Sequence, residues 1–186
     1  MLRSLLVLNS SPRPNGNSTA LAETAAAAAR SAGAEVELVH LSRLVIGPCE
    51  ACDACVGSGR CVMEDDMQTL YPRLLNAGAL LLASPIYWFT FNAQLKLCID
   101  RWYALFQIPG KPFRNKPAGF ILTYGDVDPY ISGAVNAIHT FQTMFHFLDM
   151  PIRGMVYATA SNPGDVQKNA DLMEQAAELG RKLILD

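Results

Sequence analysis

The chain lacks the long apolar runs of membrane proteins and the basic runs of nucleic-acid-binding proteins. No stretch approaches the ~18 consecutive apolar residues of a membrane span. Its 15 lysines and arginines are matched by 17 acidic residues, giving a formal net charge of -2. We therefore expect neither a membrane nor a nucleic acid as the main partner. The first residues show no small-residue cleavage site, so we expect a cytoplasmic protein.

Apolar runs alternate with helical patterns along the chain. Continuous apolar segments predict five strands buried on both faces, at residues 5–8, 36–41, 79–83, 118–123 and 152–158. Helical spacing predicts five helices, at residues 19–32, 67–75, 95–106, 128–148 and 166–183. Pro72 falls inside the second helical pattern, which predicts either a kink or a late start near Thr69.

This alternation predicts a doubly wound α/β fold. At this length we expect a flavodoxin-like, five-stranded parallel sheet in the order 2-1-3-4-5, with helices on both faces. We expect a single domain over residues 1–186, with a cysteine-rich insertion at about 47–63. In such folds the ligand crevice lies at the carboxyl ends of the strands, where the strand order reverses. The search for a site therefore narrows to the loops after the strands.

The loop after the first strand is polar and leads into a helix. Its residues 9–19 read N-S-S-P-R-P-N-G-N-S-T, a cluster of hydroxyls, amides and one arginine. Backbone N–H groups at a helix start bind anions, which favours a phosphate over a turn that only caps the helix. The sequence has neither G-x-x-x-x-G-K-[ST] nor G-x-G-x-x-G, so a terminal monophosphate is favoured over a triphosphate or a dinucleotide.

The loop after the third strand is aromatic. Its residues 84–92 read S-P-I-Y-W-F-T-F-N, a surface against which a flat aromatic ligand could lie or at which a second subunit could dock. After the fourth strand, Gly125 permits close approach of the backbone to a ring. These two loops are expected to share one edge of the sheet with the polar loop.

Four cysteines fall within thirteen residues. Cys49, Cys52, Cys55 and Cys61 form a C-x2-C-x2-C-x5-C run, which is closer to a [4Fe–4S] run than to a zinc site. Free or regulatory thiols and zinc are the alternatives. Cys98 lies on an apolar helical face and is interpreted as a small buried hydrophobe. The neighbouring Asp100-Arg101 is interpreted as a surface or interface pair.

The S-S-P-R-x-x-G-N-S-T loop, the S-P-I-Y-W segment followed by N-A-Q-L-K, and the cysteine run leading into C-V-M-E-D-D-M resemble the NAD(P)H-dependent FMN reductase superfamily. Within it the chain is most similar to the iron–sulfur flavoproteins. The resemblance implies FMN as cofactor and NAD(P)H as co-substrate. It implies that the FMN phosphate is held by Ser10, Ser11, Arg13, Asn17, Ser18 and Thr19. It implies that the isoalloxazine is held by Pro85, Ile86, Tyr87, Trp88 and Phe89 and flanked by Thr123, Tyr124, Gly125 and Asp126.

The same resemblance implies a [4Fe–4S] cluster on the four clustered cysteines. We therefore predict an FMN-dependent oxidoreductase of the iron–sulfur flavoprotein type. It would move electrons between NAD(P)H or a ferredoxin-like donor and a small acceptor such as a quinone, a flavin or an oxygen species. The alternatives are a cluster-free NAD(P)H:FMN or quinone reductase, and a non-enzymatic electron carrier or thiol redox sensor. No catalytic acid or base is predicted, because the flavin is the reactive group. The aromatic loop predicts a homodimer or homotetramer.

Overall fold

A twisted sheet forms the centre of the molecule in the computed structural model, which describes residues 4–185. The predicted domain bounds at 1 and 186 lie outside these residues. The strands are β1 (Ser4–Asn9), β2 (Glu35–His40), β3 (Ala79–Tyr87), β4 (Thr90–Phe91), β5 (Ala118–Tyr124) and β6 (Ile152–Thr159). The helices are α1 (Asn17–Ser31), α2 (Met67–Asn76), α3 (Ala93–Asp100), α4 (Tyr103–Phe106), α5 (Ala134–Phe147) and α6 (Ala170–Ile184).

The flavodoxin-like α/β architecture is confirmed, but the predicted strand count is corrected. The sheet has six strands rather than five, so its parallel strands are numbered β2-β1-β3-β5-β6, in which β5 and β6 are the strands predicted as fourth and fifth. The additional strand is β4, a two-residue element that pairs antiparallel with the end of β3. This strand was not predicted, because the hairpin that creates β4 turns at Trp88-Phe89 without glycine, asparagine or aspartate.

Each face of the sheet is covered by helices, so the strands are apolar on both sides. On one face α1 and α6 pack over Leu5, Val7 and Leu81, and on the other α2, α3 and α5 pack over side chains such as Phe120. The contact between α1 and α6 is very close. A Cβ added at Gly180 would lie 2.0 Å from the carbonyl oxygen of Ala25, so only glycine fits there.

Several helix boundaries differ from the predicted ones. Helix α2 begins at Met67, where the helical pattern begins, and contains Pro72, so the alternative of a late start near Thr69 was wrong. Helix α5 begins at Ala134 rather than at Asp128, whose carboxylate instead accepts hydrogen bonds from the next turn. The predicted helix over 95–106 is divided into α3 and α4. Within residues 4–185, no helix is long and apolar enough to cross a membrane.

Candidate functional site

A cavity of about 380 Å³ opens at the carboxyl edge of the sheet, where the loops after β1, β3, β5 and β6 meet. The strand order reverses between β1 and β3, so the connections that leave these two strands run in opposite directions. This leaves a crevice between the loops that follow them. The cavity is lined by Ser11, Arg13, Gly16, Asn17, Ser18, Pro85, Ile86, Tyr87, Thr123, Tyr124, Gly125, Ala160, Ser161 and Pro163. The structure thus brings together the three loops that the sequence predicted to share one site.

Three predicted residues line a neighbouring cavity instead. Trp88, Phe89 and Asp126 contribute to a second space of about 300 Å³, which shares Ile86, Tyr124 and Gly125 with the first. The two cavities are therefore adjacent.

Two predicted residues lie beneath the site, and their hydroxyls are paired within the protein. The Ser10 hydroxyl donates to the Ala83 carbonyl at 3.0 Å. The Thr19 hydroxyl donates to the Arg13 carbonyl at 3.2 Å and accepts from the Asn9 amide at 3.0 Å. These contacts fix the path of the polar loop rather than presenting a hydroxyl to the cavity.

The amino end of α1 presents unpaired donors to the cavity. The helix is preceded by Gly16, and no side chain caps its first turn and no acid lies in it. Its first backbone N–H groups therefore lack the partner that a capping side chain would supply. The Ser18 hydroxyl is buried and has no hydrogen-bond partner among residues 4–185. A buried unpaired hydroxyl beside a helix start fits an anionic ligand group.

Among residues 4–185, Arg13 brings the only cationic side chain to the wall of this cavity. Its side chain is exposed to solvent. The amino end of α1 carries the positive end of the helix dipole, and Arg13 is positively charged, so both favour a bound phosphate. The observed set of donors thus fits the monophosphate end of FMN.

Asn17 fastens the loop after β6 to this helix. Its side-chain amide donates to the carbonyls of Asn162 at 2.8 Å and Ala160 at 3.3 Å, and its oxygen accepts from the backbone N–H of Val166 at 3.4 Å. Its amide group is therefore already engaged by the protein. The geometry makes Asn17 an organiser of the cavity wall, a different contribution from the phosphate contact that the resemblance implied.

The loop after β6 supplies residues that the sequence analysis missed. Ala160, Ser161 and Pro163 line the cavity, and the Ser161 hydroxyl donates to the Gly125 carbonyl at 2.9 Å. The sequence could have predicted this contribution, because the loop also follows a predicted parallel strand and therefore reaches the same edge of the sheet. Gly16 was missed as well, although it lies inside the polar loop.

The aromatic loop turns through a strained hairpin. Trp88 and Phe89 have φ angles of 47° and 67°, a conformation that side chains of this size rarely adopt. The turn rests on the start of α5, where the Asn136 amide donates to the Phe89 carbonyl at 3.0 Å. A Cβ at Gly133 would lie 2.5 Å from the Phe89 Cβ, so glycine permits this approach. The hairpin leaves Trp88 90% exposed.

The ring end of the cavity is uncharged. It is formed by Pro85–Tyr87 and by Thr123–Gly125, with backbone atoms near the opening. Burial raises the pKa of the Tyr124 phenol, which therefore stays protonated at neutral pH. Such a surface suits a planar ligand that makes backbone hydrogen bonds.

The four clustered cysteines are not gathered into a ligand set. Cys49 and Cys52 are exposed, whereas Cys55 and Cys61 are half-buried against the core. Within residues 4–185, no three histidine, cysteine, aspartate or glutamate side chains are grouped so that they could hold a metal ion. The arrangement therefore does not fit the predicted [4Fe–4S] cluster. Cys98 is fully buried, as predicted, and burial raises its pKa to about 12.

The cysteine segment, the insertion at about residues 47–63, contacts a buried arginine near both of its ends. Arg101 is 1% exposed, and its guanidinium donates to Asp65, to the Gly47 carbonyl and to the Cys61 sulfur at 3.3 Å. The interpretation of Arg101 as a surface residue was therefore wrong, and Asp100 pairs with Lys96 instead. Although burial opposes it, hydrogen bonds from Met63, Tyr71 and Arg101 lower the pKa of Cys61.

Comparison with known proteins agrees with this geometry. The family model for NADPH-dependent FMN reductase matches residues 3–164. YwqN of Bacillus subtilis, named as an NAD(P)H-dependent FMN-containing oxidoreductase, is 31% identical over 179 residues, covering 94% of this chain and 95% of that protein. The iron-sulfur flavoprotein MJ1083 of Methanocaldococcus jannaschii is 32% identical over 185 residues, covering 95% of this chain and 93% of that one.

A solved structure gives the same result. The Trp repressor binding protein from Bacillus subtilis superimposes with a TM-score of 0.71 at 29% identity, over 95% of this chain and 99% of that chain. The matched region includes every loop that lines the cavity, from the polar loop after β1 to Pro163. The chain therefore belongs to the NADPH-dependent FMN reductase family, whose members are FMN-dependent NAD(P)H oxidoreductases.

Proposed function

We propose that this protein binds one FMN per chain in the cavity at the carboxyl edge and passes electrons from NAD(P)H to a small acceptor. The observation that carries the proposal is the composition of that one cavity. A helix start with unpaired donors lies at one end, and an uncharged aromatic and backbone surface lies at the other. FMN has a phosphate at one end and a flat ring at the other, so both ends find matching surfaces.

Residues of the polar loop would hold the phosphate. The Ser18 hydroxyl, the first N–H groups of α1 and the Arg13 guanidinium supply donors and positive charge, while Ser11 lies at the floor of the cavity. Ser10, Asn17 and Thr19 would act behind them by fixing the loop. An anion placed there satisfies the buried Ser18 hydroxyl, which otherwise costs stability.

Residues of the other loops would orient the ring. Pro85–Tyr87 and Thr123–Gly125 give it a surface that carries no formal charge, and Ser161 holds the Gly125 carbonyl in place. When bound, FMN supplies the hydride and electron chemistry, so no side chain is assigned as acid or base. Trp88, Phe89 and Asp126 would border the neighbouring cavity, where a second flat molecule can approach.

We also propose that the protein is a homodimer or a homotetramer with the cofactor near a subunit interface. An apolar patch surrounds the aromatic loop, since Trp88, Phe89, Tyr130 and Ile131 are between 55% and 90% exposed. Large exposed patches of this kind commonly mark interfaces. The cytoplasmic location, the single domain and the lack of a nucleic-acid or membrane partner stay predictions.

The iron–sulfur flavoprotein type also stays a prediction. Its support is the cysteine spacing, the similarity to MJ1083 and the left-handed backbone of Ala51 and Asp53, which flank Cys52. Against it stands the finding that no metal-ligating group of three or more side chains forms within residues 4–185, so no electron path through a cluster is assigned.

Anaerobic reconstitution with iron and sulfide tests this prediction. A cluster should add broad absorption near ~400 nm, which each of the four Cys→Ala changes removes and Cys98→Ala leaves intact. Protein that takes up no iron and sulfide would be the cluster-free reductase.

Steady-state oxidation of NADH and NADPH by FMN-loaded protein, with a quinone as acceptor, tests the enzymatic proposal. Turnover that depends on both FMN and quinone is expected. A protein that binds FMN but oxidises neither nucleotide would instead be an electron carrier, served by a ferredoxin-like donor.

A further inference from the structure

The buried side chain of Asn92 connects the two ends of the candidate cofactor site. Asn92 is 1% exposed and lies between β4 and α3. Its amide donates to the Ser10 carbonyl at 2.7 Å, a contact between residues 82 positions apart. Its backbone N–H donates to the Ser84 hydroxyl at 3.1 Å. One residue thereby joins the loop after β1 to the strand that carries the aromatic loop.

The two residues that Asn92 joins stand at the base of each loop. Ser10 immediately precedes Ser11, which lines the phosphate end of the cavity, and Ser84 immediately precedes Pro85, which lines the ring end. Ser10 is also tied directly to β3, because its backbone N–H and its hydroxyl both donate to the Ala83 carbonyl. Asn92 adds a second connection between the loop after β1 and strand β3, through Ser84.

We propose that Asn92 is a positioning residue that sets the distance between the phosphate-binding and ring-binding loops. This inference rests on the proposed function, because it concerns one rigid ligand that must contact both loops at once. A ligand that contacts only the ring loop does not depend on that distance. The presence or absence of the phosphate therefore separates positioning from general support.

Asn92 has a second role that must be kept constant in any test. Its side-chain oxygen accepts from the backbone N–H of Leu95 at 3.3 Å and so caps α3. Asn92→Asp retains this acceptor, and aspartate caps helices as well as asparagine does. The change removes the donor to Ser10 and sets a carboxylate oxygen against a carbonyl oxygen. It also adds a negative charge that repels a phosphate, so the uncharged variant Asn92→Ser must lower FMN binding relative to riboflavin as well.

The chain offers a matched control. Asn169 caps α6, and its side-chain oxygen accepts from the backbone N–H of Leu172 at 3.0 Å. Within residues 4–185 it forms no hydrogen bond with a cavity-lining residue. Asn169→Asp therefore reproduces the change in the cap without touching the link between the loops.

The experiment measures dissociation constants of FMN and riboflavin for the wild type and both variants at pH 8. We expect Asn92→Asp to weaken FMN binding by about tenfold or more and riboflavin binding by less than about threefold. The ratio of the riboflavin dissociation constant to the FMN dissociation constant should therefore fall in this variant alone. Equal weakening of both ligands, or an unchanged ratio, would overturn the proposal.

A second variant covers the case in which Asn92→Asp does not fold. Asn92→Ser keeps a capping oxygen but is too short to reach Ser10, so it should lower the same ratio. An unchanged ratio in that variant overturns the inference alone. A wild-type protein that does not bind FMN overturns the proposed function and this inference together.

Discussion

Arg101 and Asp65 form a two-pronged ion pair at the base of the cysteine segment. Nη2 of Arg101 lies 3.2 Å from Oδ1 of Asp65, and Nη1 contacts Oδ2. The Arg101 side chain is 1% exposed and the Asp65 side chain 11%. Asp65 also accepts from the backbone N–H groups of Gly47 and Met67, so the pair joins both ends of the segment to α2 and α3.

Breaking this pair should destabilise the protein strongly. Asp65→Asn leaves the Arg101 guanidinium buried without its counter-charge, which typically costs about 3–5 kcal/mol. Asp100→Asn removes one partner of the exposed pair with Lys96 and should cost less than about 1 kcal/mol. Urea unfolding of both variants gives the comparison. Equal effects would show that the Arg101 pair contributes no more than a surface pair.

The same pair predicts a loss of stability in acid. Burial raises the pKa of Asp65, but hydrogen bonds from Arg101, Gly47 and Met67 outweigh it and hold that pKa below its ordinary value of 3.8. The contribution of Asp65 is therefore present above pH 3.8 and is lost as the pH falls through its folded value. Unfolding free energies measured from pH 6 downward should fall less steeply in Asp65→Asn. Parallel curves would contradict this assignment.

The fold was predictable because its strands are buried on both faces. Runs such as 79–83 are uniformly apolar, and their alternation with helical patterns indicates a parallel sheet. What escaped prediction depends on distant contacts. The positive φ angles of Trp88 and Phe89 are fixed by α5, and the burial of Arg101 is fixed by Asp65, which lies 36 positions away. No pattern in the neighbouring sequence predicts either these φ angles or the burial of Arg101.

The site was predictable to the extent that it consists of loops after strands. Ten of the fifteen predicted cofactor-binding residues line the cavity, because parallel strands bring their carboxyl ends to one edge. The roles of Ser10, Asn17 and Thr19 were not predictable, since hydroxyl and amide side chains serve a ligand and a loop equally well. The cysteine spacing likewise could not show that the thiols would lie apart.

Arg13 should contribute to FMN binding through its charge. Arg13→Ala removes a charged donor at the cavity mouth and should weaken FMN binding by ~1.5–3 kcal/mol. Arg30→Ala, at the far end of α1, is the control and should leave affinity unchanged. Fluorescence titration measures both. An unaltered dissociation constant in Arg13→Ala would remove Arg13 from the site.

Ser18 should affect stability and binding in opposite directions. Without FMN, Ser18→Ala removes a buried unpaired hydroxyl, so the free energy of unfolding should stay the same or rise by up to ~1 kcal/mol. With FMN, the variant loses a hydrogen bond to the phosphate, and binding should weaken by ~1.5–3 kcal/mol. Thr24→Ala on the same helix is the control. Unchanged FMN affinity in Ser18→Ala would show that the hydroxyl faces no ligand.

The aromatic loop should control assembly. Light scattering at micromolar concentration should give about two or four times the 20.3 kDa of one chain. Trp88→Ser should shift the protein toward the single chain. Phe147→Ser is the control, because Phe147 is 65% exposed and lies at the end of α5 that is remote from the aromatic loop. This change should leave the oligomeric state unaltered. A wild-type mass of one chain would exclude the proposed oligomer.

The most direct test of the account is a titration of purified, flavin-free protein with FMN, riboflavin and FAD. The cavity joins unpaired donors at the start of α1 to an uncharged ring surface. We therefore predict one FMN per 20.3 kDa chain, bound at least about tenfold more tightly than riboflavin because of its phosphate. Equal affinities for FMN and riboflavin, a preference for FAD, or no binding at micromolar FMN would contradict it.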